Sequence, residues 1–198
     1  NGISIERLDY DERGHLVRTR FFDEAGKPTR HKDGVSGYRS TFDARGNQTE
    51  RAFFDQAGKP TRHKDGYAGW RSTVDAHGNV TEVAYFDEAD KPTRHKAGNA
   101  GFRATFDARG NQTERALFDE AGKSTPHKDG VAGWRSTFDA RGNETERAYL
   151  DEAGKPTRHK DGNAGYRSTF DAHSNATERT FFDNIGKESL TPAMCARK

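Results

Sequence analysis

Five segments, Gly37-Tyr38-Arg39-Ser40-Thr41, Gly69-Trp70-Arg71-Ser72-Thr73, Gly101-Phe102-Arg103-Ala104-Thr105, Gly133-Trp134-Arg135-Ser136-Thr137 and Gly165-Tyr166-Arg167-Ser168-Thr169, recur every 32 residues without an insertion. One period before Gly37 the chain reads as a diverged first copy, with Tyr10-Asp11-Glu12-Arg13-Gly14 in register. The 198 residues therefore divide into units 5–36, 37–68, 69–100, 101–132, 133–164 and 165–196, a single repeat array over 1–198 whose end, 186–198, drifts from the pattern. A unit this short cannot bury a core alone, so the units must stack on their neighbours.

Within each unit a hydrophobic-Asp-x-x-Gly step appears twice, twelve residues apart. The first step contributes Asp11, Asp43, Asp75, Asp107, Asp139 and Asp171, with Gly14, Gly46, Gly78, Gly110 and Gly142 three residues later. Of the twelve Gly positions in the two steps, only Asp90 and Ser174 depart from Gly, and all twelve Asp positions hold Asp. An Asp that opens a turn accepts a hydrogen bond from the backbone two residues on, and a Gly that follows supplies the positive φ that closes it. These are structural turn positions, and turn capping explains the Asp row better than calcium binding, which wants alternating Asp and Asn ligands.

Between the turns run Tyr38–Phe42 and Gln48–Phe54, short, aromatic-rich and compatible with period-two alternation, so both are predicted strands. The segment after the second Gly, with Lys59-Pro60 and His63-Lys64-Asp65-Gly66, links one hairpin to the next and has room for a short third strand at Thr61 to Lys64. Gly or Pro interrupts every window long enough for a helix. The fold class is all-β: tandem 32-residue hairpins stacked into an elongated twisted ribbon or a solenoid, with side-by-side hairpins favoured over one coil per unit.

Composition narrows function by exclusion. With 33 basic against 31 acidic residues interspersed along the chain, there is no one-signed field of the kind nucleic acid requires. No apolar run has the length of a membrane span. The one cysteine, Cys195, cannot form an intrachain disulfide. A chain that begins at Asn1 rather than Met is expected to be a mature product or an excised piece of a longer one. Every carboxylate or His that could act in catalysis occurs in several equivalent copies, whereas catalysis rests on one asymmetric constellation. No enzyme, no cofactor and no metal site is expected.

Three rows of side chains remain as candidate chemistry. Tyr38, Trp70, Phe102, Trp134 and Tyr166 form an aromatic ladder, the best candidate for binding a partner or ligand, although inter-repeat core is the commoner use of such residues. His31, His63, His95, His127 and His159 repeat at the same spacing but each sits beside a Lys, which disfavours a cation, and a solvated loop is expected. Arg and Glu, as at Arg39 and Glu50 or Arg71 and Glu82, become cross-strand partners within one hairpin if the turn closes directly on Asp and Gly, while a bulged turn pairs them differently. The loop row Val35, Tyr67, Asn99, Val131 and Asn163 varies most between units and is a further place to look for partner reading.

The segment Asp9-Tyr10-Asp11-Glu12-Arg13-Gly14-His15-Leu16-Val17-Arg18 resembles the YD repeat of bacterial Rhs proteins, insecticidal toxin complexes and teneurins, and the later units resemble it with Phe in place of Tyr. The resemblance implies hairpin stacking and a role in surface presentation, adhesion or enclosure of another polypeptide, with an extracellular or cell-surface location. The rigid 32-residue period is more regular than the usual YD array, and 198 residues are too few to wrap a closed shell. The expected function is a non-enzymatic structural or protein-interaction scaffold, self-associating through its repeat ends. The alternative is a carbohydrate-binding module that uses the aromatic ladder.

Overall fold

The computed structural model describes residues 5–189. The chain divides into two compact units, Asn1–Lys96 and Ala97–Lys198. The first holds β1 (Ile5–Tyr10), β2 (Leu16–Phe22), β3 (Gly37–Phe42), β4 (Gln48–Phe54), β5 (Gly69–Val74) and β6 (Val80–Phe86). The second holds β7 (Gly101–Phe106), β8 (Gln112–Phe118), β9 (Gly133–Phe138), β10 (Glu144–Leu150), β11 (Gly165–Phe170), β12 (Ala176–Phe182) and the two-residue β13 (Glu188–Ser189). Within each unit the strands lie side by side in sequence order, every pair antiparallel, as an open sheet not closed into a barrel. The architecture is all-β, the side-by-side arrangement rather than one coil per repeat, and no helix occurs among the described residues. The border between the units falls in the connecting segment of repeat 69–100. Cys195 and the end of the divergent stretch 186–198 lie outside the described residues.

The strands begin and end where the turns dictate. At the first turn Asp43 Oδ1 accepts from the backbone N–H groups of Arg45 and Asn47, each at 2.9 Å, and Oδ2 accepts from the Asn47 side chain at 2.9 Å. The Gly46 N–H closes the turn on the Asp43 carbonyl at 3.1 Å with φ at 88°. The second turn repeats the plan, with Ala57 and Lys59 N–H groups on Asp55 Oδ1. Where Gly is replaced the backbone stays left-handed: Asp90 and Ser174 both have φ at 63°.

The first turn ends in a bulge, since Thr41 pairs Glu50 while Phe42 pairs Gln48. The extra residue sets the register and so decides which Arg meets which Glu. Arg39 faces Ala52 in its own hairpin, and Glu50 instead faces Arg71 of the next repeat. Pairing within a hairpin is thereby corrected to pairing between repeats.

The segment after the second turn forms no third strand at Thr61 to Lys64. It makes one bridge, Phe54 to Pro60, and then turns at His63–Gly66; Ser124 at the Pro position of repeat 101–132 makes the same single bridge, so the turn and not the Pro ends the pairing. The His N–H bonds the Tyr67 carbonyl and the Gly66 N–H bonds the His63 carbonyl, both at 2.9 Å. His thus opens a third turn on the plan that Asp opens the first two.

Alternation gives the sheet two faces. One carries Gly37, Arg39, Glu50 and Phe54 with their equivalents and is called the glycine face here; the other carries Tyr38, Ser40, Arg51 and Phe53 and is called the ladder face. On the glycine face the ring of Phe54 lies over Gly37: a Cβ atom there would sit 2.5 Å from the ring and 2.2 Å from the Thr19 carbonyl oxygen. At the strand ends Phe21, Val35 and Phe53 form a buried cluster with Tyr38 and Tyr67 packed against it. Small residues, Ser40, Ser72, Ala104, Ser136 and Ser168, are buried at the middle of the first strand of each hairpin.

Candidate functional site

Tyr38, Trp70, Phe102, Trp134 and Tyr166 all sit on the ladder face, and all are partly buried. Each ring lies across the hairpin from the aromatic or apolar residue of the second strand, as Tyr38 does from Phe53 and Trp134 from Tyr149. A guanidinium from that second strand then covers the ring from a diagonal position: Arg51 at 4.4 Å over Tyr38, Arg115 at 4.0 Å over Phe102, Arg147 at 4.2 Å over Trp134 and Arg179 at 4.3 Å over Tyr166. Stacked cations of this kind contribute about 0.5–1 kcal/mol each at exposed sites. Repeat 69–100 has Val83 at the arginine position.

The sequence places Arg39 and its equivalents next to the aromatics, and alternation sends those arginines to the glycine face. The arginines that meet the rings come from the neighbouring strand. Their signal was present in the repeated Thr-Glu-Arg-Ala run, but reading it requires the bulge.

Repeat 133–164 varies this surface with a carboxylate. Glu144 accepts from Ser136 Oγ at 2.5 Å and Tyr166 Oη at 2.6 Å and pairs with Arg147 at 2.7 Å. Burial pushes the Glu144 carboxyl up, but those hydrogen bonds and the Arg147 charge outweigh burial and hold it below the usual range. Burial, with the bond to Glu144, pushes the Tyr166 phenol up to about 12.

The histidines are not solvated loop residues. Side-chain exposure is 14% for His63 and 17% for His159, and each stacks on a ring of its own repeat, Phe53 at 5.1 Å and Tyr149 at 5.1 Å. In four of the five repeats the His Nδ1 faces the Asp two residues on, as His31 does with Asp33 at 2.9 Å, and Ala97 stands at that place after His95. The Asp then reaches the next repeat: Lys64 donates its backbone N–H to the Asp33 carbonyl at 2.8 Å, and its ammonium forms an ion pair with Asp33 Oδ1 at 2.6 Å. Asp129 and Lys160 repeat the arrangement at 2.7 Å, and Asp65 with Lys96 does likewise. The Lys64 ammonium holds the Asp33 carboxyl below its ordinary range. The His-Lys-Asp-Gly row is therefore a staple between repeats. Among the described residues no group of three His, Cys, Asp or Glu side chains is arranged to hold a metal ion.

The loop row does not form one exposed surface. Val35, Asn99 and Asn163 are 3%, 6% and 8% exposed, while Tyr67 and Val131 are partly buried, so much of the variation at this row is accommodated in the interior.

The turn residues Asp11, Asp43, Asp75, Asp107, Asp139 and Asp171 point their carboxylates back into their own turns. An unanticipated link joins successive first turns: the arginine two residues after the Asp donates to a carbonyl of the next turn, Arg45 to Ala76 at 2.8 Å and Arg141 to Ala172 at 2.8 Å.

These features define a tandem β-hairpin repeat protein. No protein-family model and no curated protein matches the chain. Among solved structures it is similar to a chain of the TcdB2–TccC3 crystal structure, with 16% identity, a TM-score of 0.35, and 89% of this chain and 10% of that one covered. A second similar structure is the TcdB2–TccC3–Cdc42 crystal structure, at 11% identity and a TM-score of 0.28, covering 92% of this chain and 13% of that one. A third is a Photorhabdus luminescens Tc holotoxin pore with a TccC3 mutation, at 14% identity and a TM-score of 0.28, covering 89% and 10%. The chain spans about a tenth of the length of those chains. No helix among the described residues is long and apolar enough to cross a membrane.

Proposed function

We propose that this chain is a non-enzymatic repeat scaffold that offers its ladder face to protein partners. The observation that carries the reading is the paving of the aromatic ladder by guanidinium groups 4.0–4.4 Å above Tyr38, Phe102, Trp134 and Tyr166. Partly exposed Tyr, Trp and Arg side chains in close array are the residues that dominate protein–protein affinity. A sugar ring that stacks on an aromatic needs the face that the guanidinium already occupies, which disfavours the carbohydrate reading at those four repeats. The repetition itself supports a non-enzymatic role, because the turn aspartates and the staple histidines recur in equivalent settings.

Self-association by continuing the sheet is disfavoured at the β1 flank. Successive repeats join tightly because Gly37, Gly69, Gly133 and Gly165 admit the carbonyl of the preceding strand, 2.1–2.5 Å from where a Cβ would be. Ile5 stands at the equivalent position of the first repeat, so a strand laid on β1 as β2 lies on β3 meets a side chain. A partner polypeptide across the ladder face is the better fit, with surface presentation as the setting that suits it.

Tryptophan fluorescence of the intact chain, titrated with cello- and chito-oligosaccharides, tests the sugar alternative. No saturable change is expected, and a saturable quench or shift would displace the scaffold reading. Sedimentation velocity up to high concentration addresses the β1 argument: monomers are expected, and growing linear oligomers would contradict it.

A further inference from the structure

The junction between the first two repeats departs from all the later ones in the same chemical direction. Glu50, Glu82, Glu114, Glu146 and Glu178 occupy one position of the repeat, and the first repeat has Arg18 there. At later junctions the Glu neutralises the Arg across from it, with Glu50 to Arg71 at 2.7 Å, Glu114 to Arg135 at 3.0 Å and Glu146 to Arg167 at 2.8 Å. At the first junction Arg18 lies directly across from Arg39 instead. Like charges directly opposed on a sheet are destabilising.

Two further substitutions gather at the same place. Arg20 replaces the Ala of Ala52, Ala84, Ala116 and Ala148, and Ser36 replaces the Ala of Ala68, Ala100, Ala132 and Ala164. Arg7, Arg18 and Arg20, together with Phe22, Ser36 and Phe54, line a cleft of about 260 Å³, as does Asp55, whose Oδ1 accepts from the Ala57 and Lys59 N–H groups of its own turn. Of the four glycine-face arginines at this junction, Arg20 holds Asp9 through two contacts at 3.0 and 3.1 Å. Asp9 lies across β1 and β2 from Arg18 but is held by Arg20, and among the described residues no carboxylate makes an ion pair with Arg7, Arg18 or Arg39. The Arg18 and Arg39 guanidinium carbons lie 5.3 and 5.5 Å from the centroid of one ring, that of Phe54, and Arg7 lies 4.2 Å over Phe22. Ser36 is 3% exposed with a hydroxyl that has no hydrogen-bond partner among the described residues, and Arg18 Nε is likewise buried without one.

We propose that this cleft binds a carboxylate, the group that Glu50, Glu114 and Glu146 supply at later junctions. A planar carboxylate in the cleft meets the Arg18 guanidinium fork, and it relieves the repulsion from Arg39, which lies across from Arg18 just outside the cleft lining. The acidic side chain of another polypeptide and a free small acid present the same group.

The test is an acetate titration of the full chain at ionic strength fixed with chloride, read on the arginine Nε–H resonances. The Arg18 and Arg39 signals are expected to shift saturably while those of Arg71 and Arg135, already paired with Glu, stay still. Arg18→Glu restores the repeat pattern; it is expected to abolish the Arg39 response and raise the melting temperature without acetate. Arg18→Gln, which adds no new pairing, is expected to weaken the response at least tenfold and serves if the first variant does not fold. A glutamate hexapeptide amide run in parallel separates the sources: tighter binding than acetate per carboxylate supports a polypeptide, and equal binding supports a small acid. No saturable shift at Arg18 and Arg39, an unchanged response in either variant, or sulfate binding where acetate fails would each overturn the proposal.

Discussion

At Gly69 and Gly133 the sheet has no room for a Cβ atom. A Cβ at Gly69 would lie 2.3 Å from the Phe86 ring and 2.5 Å from the Arg51 carbonyl oxygen, and one at Gly133 2.2 Å from the Arg115 carbonyl oxygen. Gly58 differs in kind: its φ is 78°, yet nothing lies within 4 Å of a Cβ there. Gly69→Ala is therefore expected to cost about 2–3 kcal/mol through overpacking against backbone that cannot give way, and Gly58→Ala about 1–2 kcal/mol through the left-handed backbone alone. Urea denaturation of the two variants checks the order, and equal costs would refute the steric account. Ser174 carries the reverse lesson, since it holds φ at 63° where other repeats use Gly. Ser174→Gly is expected to stabilise by about 0.5–1 kcal/mol in the same assay. Asp90 shares that φ but pairs with Arg71 at 2.7 Å, so Asp90→Gly is expected to gain less.

At the scale of the element, the turns were legible and the register was not. Asp and Gly at fixed spacing announce two turns per repeat, and β3 and β4 begin and end within a residue of where that punctuation puts them. The bulge beside Thr41 has no residue signature in the sequence, yet it moves Glu50 from its own hairpin to Arg71 and brings Arg51 diagonally over Tyr38. The third turn was missed for a related reason. His63 does there what Asp does elsewhere, and His is not a common turn opener. The turn carboxylates also set a pH dependence. Hydrogen bonds from the Asn47 side chain hold Asp43 below the usual range, those from the Asn143 side chain do so for Asp139, and the backbone N–H of Lys91 does so for Asp87. Groups whose folded pKa is depressed contribute stability that is fully present above their unfolded pKa, about 3.9 for Asp, and is lost as pH falls through the lower folded values. Melting temperature is expected to be nearly flat from pH 7 to about 5 and to fall steeply below about 4. A maximum at acid pH would contradict this. The ion pairs between repeats contribute little by comparison: Arg135 is 57% exposed, and a double-mutant cycle on Glu114 and Arg135 is expected to return under about 1 kcal/mol.

At the scale of the whole molecule, stability arises from one kind of junction used repeatedly. Strand pairing, the His-Lys-Asp-Gly staple and the arginine between first turns all join a repeat to its immediate neighbour. The repeat period made that plan readable, and it also hid the first junction, where a diverged copy looks like decay until Arg18, Arg20 and Ser36 are seen to meet in one cleft. Amide hydrogen exchange on the full chain tests the plan most directly. If stability is built junction by junction, protection is highest in β3 to β5 and β8 to β10, which have neighbours on both sides. It extends to the Lys64 and Lys160 amides that bond the preceding repeat, and it is lowest in β1 and β13. Uniform protection along the chain, or rapid exchange at Lys64 and Lys160 while the strands stay protected, would contradict the account.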